Sequence, residues 1–392
     1  MRNKSFYAVI LCLVIGSTTV FGEIKTNASL ELKTVSESNI YLGKTDEQST
    51  TITSFIPGLN FLATGGQSKV GIDYAAEILN YSLSASTNNA TNQSINVLLD
   101  FTFPVGLSLK LMDGYKDTSD APSSEFVKRI KRTQNNLSGD IGYKFGRVWS
   151  ASVLFSQINH AYSQDEYKAI FDRTESESGL VVYYGFSPKT SVLLEYDSGV
   201  IAYDKASNLN DSTYSNVKLG LKGKLTPKTA GILKIGSQSR KYDVQAEKDA
   251  STSILGLTSI TEFSKMTSLK LSADRNFMES TFSSNLNYLA TSITVELGQK
   301  IGKKVSVSVN SRYEMDDYDT AVLLDEATGA AAVTGVLTKR SDTNTLSGLG
   351  VKYSISEWLT ANLGYTTKGR SSNFNSFNYT DTLTNVSIKA IF

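Results

Sequence analysis

Strict two-residue alternation between apolar and polar side chains constrains this chain more than any other feature. Ile95, Val97, Leu99, Phe101 and Phe103 form one apolar face, with Asn96, Asp100 and Thr102 opposite. After a short turn, Leu107, Leu109 and Leu111 resume the pattern, facing away from Ser108 and Lys110. Leu137/Gly139/Ile141/Tyr143/Phe145, Val217/Leu219/Leu221, Val305/Val307/Val309 and Leu349/Val351/Tyr353/Ile355 repeat it. Successive side chains of a strand point to opposite faces, so each run reads as a β-strand with one apolar and one polar face. Short turn signals recur at about 40-residue intervals. They are Gly65-Gly66, Phe103-Pro104-Val105-Gly106, Phe145-Gly146-Arg147, Ser187-Pro188-Lys189-Thr190, Thr226-Pro227-Lys228-Thr229, Ser264-Lys265-Met266, Gly302-Lys303-Lys304 and Ser356-Glu357-Trp358. Pro104, Pro188 and Pro227 sit in these turns, where a missing ladder donor is harmless.

A period of this size also suits propeller blades, but propeller strands are short and packed on both faces. Runs of about nine to twelve residues with one polar face match tilted transmembrane strands instead. Aromatics gather beside the short turns, and Phe103, Phe145, Trp149, Phe186 and Trp358 are assigned to a membrane-interface belt. Eight turns join sixteen strands, and one more is expected at each end, about 28–36 and about 383–392. The expected fold is therefore all-β: a transmembrane antiparallel up-and-down barrel of about eighteen strands, both termini periplasmic. Sixteen is the alternative, because alternation is blurred over 251–290. The longer polar segments become nine extracellular loops: 39–50, 82–92, 116–134, 161–172, 199–211, 240–252, 276–286, 314–343 and 369–378.

Both ends of the chain agree with such a destination. Val386, Ile388, Ala390 and Phe392 alternate to a terminal aromatic, the form of final strand that the barrel assembly machinery reads as its signal. Arg2 and Lys4 precede an apolar stretch from Phe6 to Ile15, and Val20-Phe21-Gly22 offers a cleavage site. Residues 1–22 thus read as a secretory signal and 23–392 as one barrel domain in the outer membrane of a Gram-negative bacterium. The lone Cys12 lies in the signal, so the mature chain carries no disulfide and no thiolate ligand.

Charge excludes other classes. With 39 basic and 38 acidic residues there is no basic surface for nucleic acid. Alternation turns Asp100, Lys110, Asp140, Lys144, Glu195, Lys218, Lys222, Lys234, Arg312 and Lys352 inward as candidate lumen-lining residues. A barrel this wide encloses a lumen rather than a packed core, and both signs are present, unlike a one-sided selectivity ring. The single histidine, His160, has no triad partners around it, so no enzyme is expected. Asp316, Asp317 and Asp319 read as a hydrated loop tip with at most weak Ca²⁺ affinity; no metal or cofactor site is expected.

The first mature hundred residues carry a resemblance. Ser36-Glu37-Ser38-Asn39-Ile40-Tyr41-Leu42 precedes Ser49-Thr50-Thr51-Ile52-Thr53 and Ile56-Pro57-Gly58-Leu59. Ile72-Asp73-Tyr74-Ala75-Ala76-Glu77 and Asn80-Tyr81 follow. An Asn near a first loop, a Pro-Gly pair on strand two and a Tyr-rich strand three resemble the β-barrel porin family of exopolysaccharide loci. That resemblance implies a conduit for exopolysaccharide working with a periplasmic polysaccharide-export protein, and it brings no catalytic residues. The residues themselves support a general or substrate-specific diffusion porin equally well, and a surface adhesin or receptor less well. Segment 314–343 is the longest loop and carries apolar runs, so it is expected to fold back over or into the lumen.

Overall fold

The computed structural model describes residues 22–205, 210–280, 282, 285–324 and 336–392; the expected signal sequence lies outside them apart from Gly22. Fifteen strands follow one another: β1 (Glu23–Glu37), β2 (Thr50–Gly65), β3 (Ser68–Tyr81), β4 (Ala90–Thr102), β5 (Leu107–Thr118), β6 (Arg132–Phe145), β7 (Trp149–Tyr162), β8 (Arg173–Ser187), β9 (Thr190–Tyr203), β10 (Ser212–Lys224), β11 (Thr229–Tyr242), β12 (Ala250–Glu262), β13 (Thr267–Glu279), β14 (Asn287–Ile301) and β15 (Val305–Tyr318). A small hairpin, β16 (Val322–Leu324) with β17 (Val336–Thr338), stands apart. β18 (Ser341–Ser354), β19 (Leu359–Ser372) and β20 (Tyr379–Ile391) complete the wall. Each strand pairs antiparallel with its chain neighbour, and β1 pairs with β20 from Ser29↔Ile391 to Glu37↔Leu383. The sheet closes on itself as an eighteen-stranded barrel, which leaves no open edge.

Burial follows the alternation. On β9, Glu195 and Asp197 are 2% and 1% exposed while Leu194 and Tyr196, alternating with them, are 56% and 52% exposed. The outer face is the apolar one, as lipid requires, and the inner face carries the polar groups. On several wall strands, outward hydrophobes near the short turns (Leu180, Leu219, Ile235, Leu349) give way to Ser178, Ser215, Ser237 and Ser347 farther up, whereas β9 and β15 keep Val200, Tyr313 and Met315 exposed there. Wall strands of 12 to 16 residues exceed the ~9–11 that a tilted span needs. They therefore rise clear of the hydrocarbon on the loop side.

Eight tight turns form one rim, and Gly106 and Gly146 take φ of 85° and 82° there, backbone that a side chain would strain. The first and last strands begin and end at this same rim: Glu23 lies opposite Thr64, and Ile391 opposite Ser29. Four features differ from the sequence expectation. β1 starts earlier and β20 starts earlier than the alternation marks, because polar residues continue the ladder beyond the apolar belt. The blurred region 251–290 holds β12, β13 and the start of β14, which excludes sixteen strands. Segment 314–343 is wall at its two ends, since β15 runs to Tyr318 and β18 starts at Ser341, which leaves 319–340 as the connection. Asp316 and Asp317 are therefore on β15 and no loop tip: Asp317 accepts from Ser341 Oγ and Asp316 is buried beside Asn344, while Asp319, just past the strand, pairs with Lys339.

Candidate functional site

The inner wall is built of interlocked charges. Lys218 Nζ lies 2.9 Å from Glu195 Oε1 and 2.5 Å from Asp197 Oδ2, and Lys234 donates to the other oxygen of Glu195. Asp100, Lys110 and Asp140 stand in register across β4, β5 and β6, acid opposite base opposite acid. Lys222 Nζ sits 5.0 Å above the Tyr183 ring, and Arg312 pairs with Glu314 two residues along its own strand. Lys144 lies by the short-turn rim, where its N–H donates to Gly106 O, and Lys352 lines a cavity of about 780 Å³ along the inner wall. Of the ten charges that alternation turns inward, strand register brings Glu195, Lys218 and Lys234 into one cluster.

Phe103, Phe145, Trp149, Phe186 and Trp358 are exposed beside the short turns. Phe145 stacks on Tyr143, Trp149 tilts against Tyr184, and Trp358 stacks on the terminal Phe392 at 6.4 Å. Val386 and Ile388 are likewise exposed and outward, with Ala390 opposite Leu30 and Leu359. His160 holds Glu175 at 3.3 Å, and Arg173 shares that carboxylate, so the histidine serves an ion-pair cluster on the wall. No three His, Cys, Asp or Glu side chains among the described residues could hold a metal.

The feature that organises the pore is the segment 119–131 between β5 and β6, which sequence reasoning placed outside as a simple loop. It crosses the barrel. Pro122, Ser123 and Ser124 lie in a cavity of about 530 Å³ against the inner face of β13, β14, β15, β18 and β19. Ser280 Oγ, just past β13, donates to Glu125 Oε1 at 2.6 Å. β13 and β14 lie almost diametrically across the wall from β5 and β6. On the near side, the Phe126 ring packs on Tyr167 and Phe171 of the helix Asp165–Phe171, with centroids 5.9 and 5.0 Å away. Ile130 joins the same cluster with Tyr162. Lys128 donates to Tyr167 Oη at 2.6 Å, and this bond holds its ammonium above the usual lysine range. Arg129 reaches a third sector, lying over the Tyr81 ring at 5.1 Å and within 4.0 Å of Glu37.

A collar of tyrosines and arginines surrounds this crossing. Tyr81, Tyr162, Tyr203, Tyr242 and Tyr318 end β3, β7, β9, β11 and β15, all buried. Four of their backbone N–H groups donate to an Asn or Asp seven to ten residues on: Asn89, Asp172, Asp211 and Asp249, at 2.7 to 2.9 Å. Burial pushes the Asp172 carboxyl up even as it accepts that bond. Arginines lie over the rings: Arg173 on Tyr203, Arg240 on Tyr242, Arg370 on Tyr379, and Arg340 at 4.8 Å from Tyr318 and 3.8 Å from Phe377. Cation–π contact and fixed ring edges stiffen the mouth. A Tyr closing an alternating run, with Asp or Asn a short loop later, is the sequence signal that would have found it.

Of the segment 314–343, β16 and β17 form a separate hairpin whose Val322 packs on Phe374 while Val336 and Leu337 are exposed. Its apex, 325–335, lies outside the described residues.

A family model described as "Putative beta-barrel porin 2" matches residues 20–392. No curated protein matches. Among solved structures, the outer membrane protein OpdK of Pseudomonas aeruginosa is 11% identical, with a TM-score of 0.48 over 94% of this chain and 99% of its own. OccK2 (OpdF) of the same organism, in complex with glucuronate, is 10% identical with a TM-score of 0.49, covering 95% and 98%. The FrpB iron transporter of Neisseria meningitidis is 10% identical with a TM-score of 0.44, covering 94% and 83%.

Proposed function

Because the chain belongs to the β-barrel porin family matched over residues 20–392, we propose that it is a diffusion channel for small polar solutes whose bore is set by segment 119–131. The barrel resides in the outer membrane of a Gram-negative bacterium. Its long loops face outward and its short-turn rim, with both chain ends, faces the periplasm. The observation that carries the reading is the crossing itself, tethered at Ser280, at the Tyr162–Phe171 cluster and at Glu37. A segment held from three sectors divides the lumen into small polar passages and disfavours a standing conduit for a polymer, so exopolysaccharide passage is the less favoured role. Paired charges of both signs on the wall favour dipolar and hydroxyl-rich solutes over one class of ion.

Liposome swelling tests this. The parent barrel should pass monosaccharides faster than trisaccharides, and deletion of residues 122–127 should abolish that discrimination while a heat-modifiable barrel still forms. Equal size dependence in parent and deletion would remove segment 119–131 from the bore.

A further inference from the structure

The wall is not uniformly zipped. The β12–β13 ladder runs only from Leu255↔Arg275 to Glu262↔Ser268, eight pairs. β12 makes twelve with β11, and β13 makes thirteen with β14. Beyond Leu255, β12 continues to Ala250 along β11 and β13 continues to Glu279 along β14, but the two part from each other. The same register carried on would set Ser253 opposite Phe277. Side chains bridge the parting instead. Arg275 Nε donates to Ser253 O at 3.2 Å, and the Phe277 N–H donates to Gln238 Oε1 at 3.4 Å. Arg240 on β11 reaches over β12 to Glu279 at 2.6 Å.

Unpaired backbone edges are not tolerated in hydrocarbon. The outer residues at this height include Ser237, Ser239, Ser251, Ser253 and Thr291 beside Phe277, Leu289 and Met315, so the seam opens at the upper edge of the apolar belt. Behind it lies an inner cavity of about 440 Å³ that includes residues of both lips, Leu255 and Phe277. Ile201, Ile254 and Met278 give this cavity an apolar strip leading to the lips. Arg240, nearly fully buried, lines the same cavity with its guanidinium paired to Glu279, beside Glu175, Glu177 and Lys218. An apolar strip running out through the wall beside charges of both signs fits a molecule with a tail and a polar head.

We propose that this seam is a side portal by which a single-chain amphiphile with a polar head passes between the lumen and the outer leaflet, its head among the paired charges of the cavity and its tail between Leu255 and Phe277. The proposal rests on the reading of the lumen as a solute path. A backbone ladder opens only by unfolding the wall, whereas a seam latched by Arg275 and Gln238 opens by side-chain rotation.

The full-length barrel in proteoliposomes, offered decane-1-sulfonate and methanesulfonate, tests it, since both probes carry the same permanently ionised head. Oxidation of Ser253→Cys/Phe277→Cys should cut decanesulfonate entry about fivefold or more, reversibly on reduction, and leave methanesulfonate entry unchanged. A control cross-link within the zipped ladder, Leu257→Cys/Ala273→Cys, should change neither. Gln238→Ala/Arg275→Ala, which leaves every ladder pair in place, should raise decanesulfonate entry severalfold. Unchanged decanesulfonate entry across the oxidised seam overturns the portal, as does an equal fall of both probes. Absence of methanesulfonate flux in the parent overturns the pore reading separately.

Discussion

Removing the Phe126 ring should loosen the crossing segment by an amount the structure allows to be worked out. Phe126 is partly buried, and its ring meets Tyr167 and Phe171 edge-on at 5.9 and 5.0 Å. Truncating a fully buried Phe to Ala costs about 3–5 kcal/mol, so a half-covered ring with two edge contacts contributes about 2 kcal/mol. That energy holds the segment to the helix Asp165–Phe171, not the barrel together, because the ladder is untouched. About 2 kcal/mol corresponds to about a thirty-fold rise in the undocked population. A segment undocked about one part in a thousand would then be undocked about three parts in a hundred. Planar-bilayer recordings of Phe126→Ala should show bursts of higher conductance at correspondingly raised frequency, with the main level unchanged. Phe186→Ala, which truncates an outward ring at the short-turn rim, should show none. The same burst frequency in parent and Phe126→Ala, with a heat-modifiable barrel in both, would refute the placement of segment 119–131 in the conducting path.

Glu195 neutralises both Lys218 and Lys234, so Glu195→Gln should shift permeability toward anions by about two- to threefold, read as a reversal potential under a salt gradient; no shift would place this cluster off the ion path. Phe392→Ser removes the aromatic that stacks on Trp358 and should leave the chain as a degradable periplasmic intermediate; parental amounts in the outer membrane would discard the assembly reading. Epitope tags within 243–249 or 373–378 should be reached by antibody on intact cells, whereas tags at Pro188 or Pro227 should be silent until the membrane is opened; the reverse pattern would invert the barrel.

The fold was legible because a membrane wall imposes a period of two on every strand, and that period survives in residues such as Leu194, Tyr196, Leu219 and Ile388 whatever the neighbours are. It was blurred over 251–290 for a reason the structure makes plain. Where β12 and β13 part, Arg275 and Phe277 answer to local bridges rather than to lipid on one side and water on the other. Strand ends were misjudged for a related reason. At the upper end of the wall outward residues such as Asp317, Ser341 and Thr343 are polar, so Tyr318 and Ser341 look like loop although the ladder runs through them. Length and apolar content then drew attention to 314–343.

The crossing segment left no such trace, and physics explains why. Its position depends on closing the barrel: Glu125 and Ser280 are 155 residues apart in the chain and meet only across a finished lumen. Phe126 and Ile130 have no periodicity to betray a face, since a loop packs side chains wherever a partner offers one. Only the partner offers a hint, because the helix Asp165–Phe171 places Tyr167 and Phe171 where an exposed loop would bury neither. An aromatic pair stranded in one polar loop and a lone Phe in another are complementary signals: each would be poorly placed in water alone, and joining them buries both. That pairing is what turns a surface loop into a beam across the barrel.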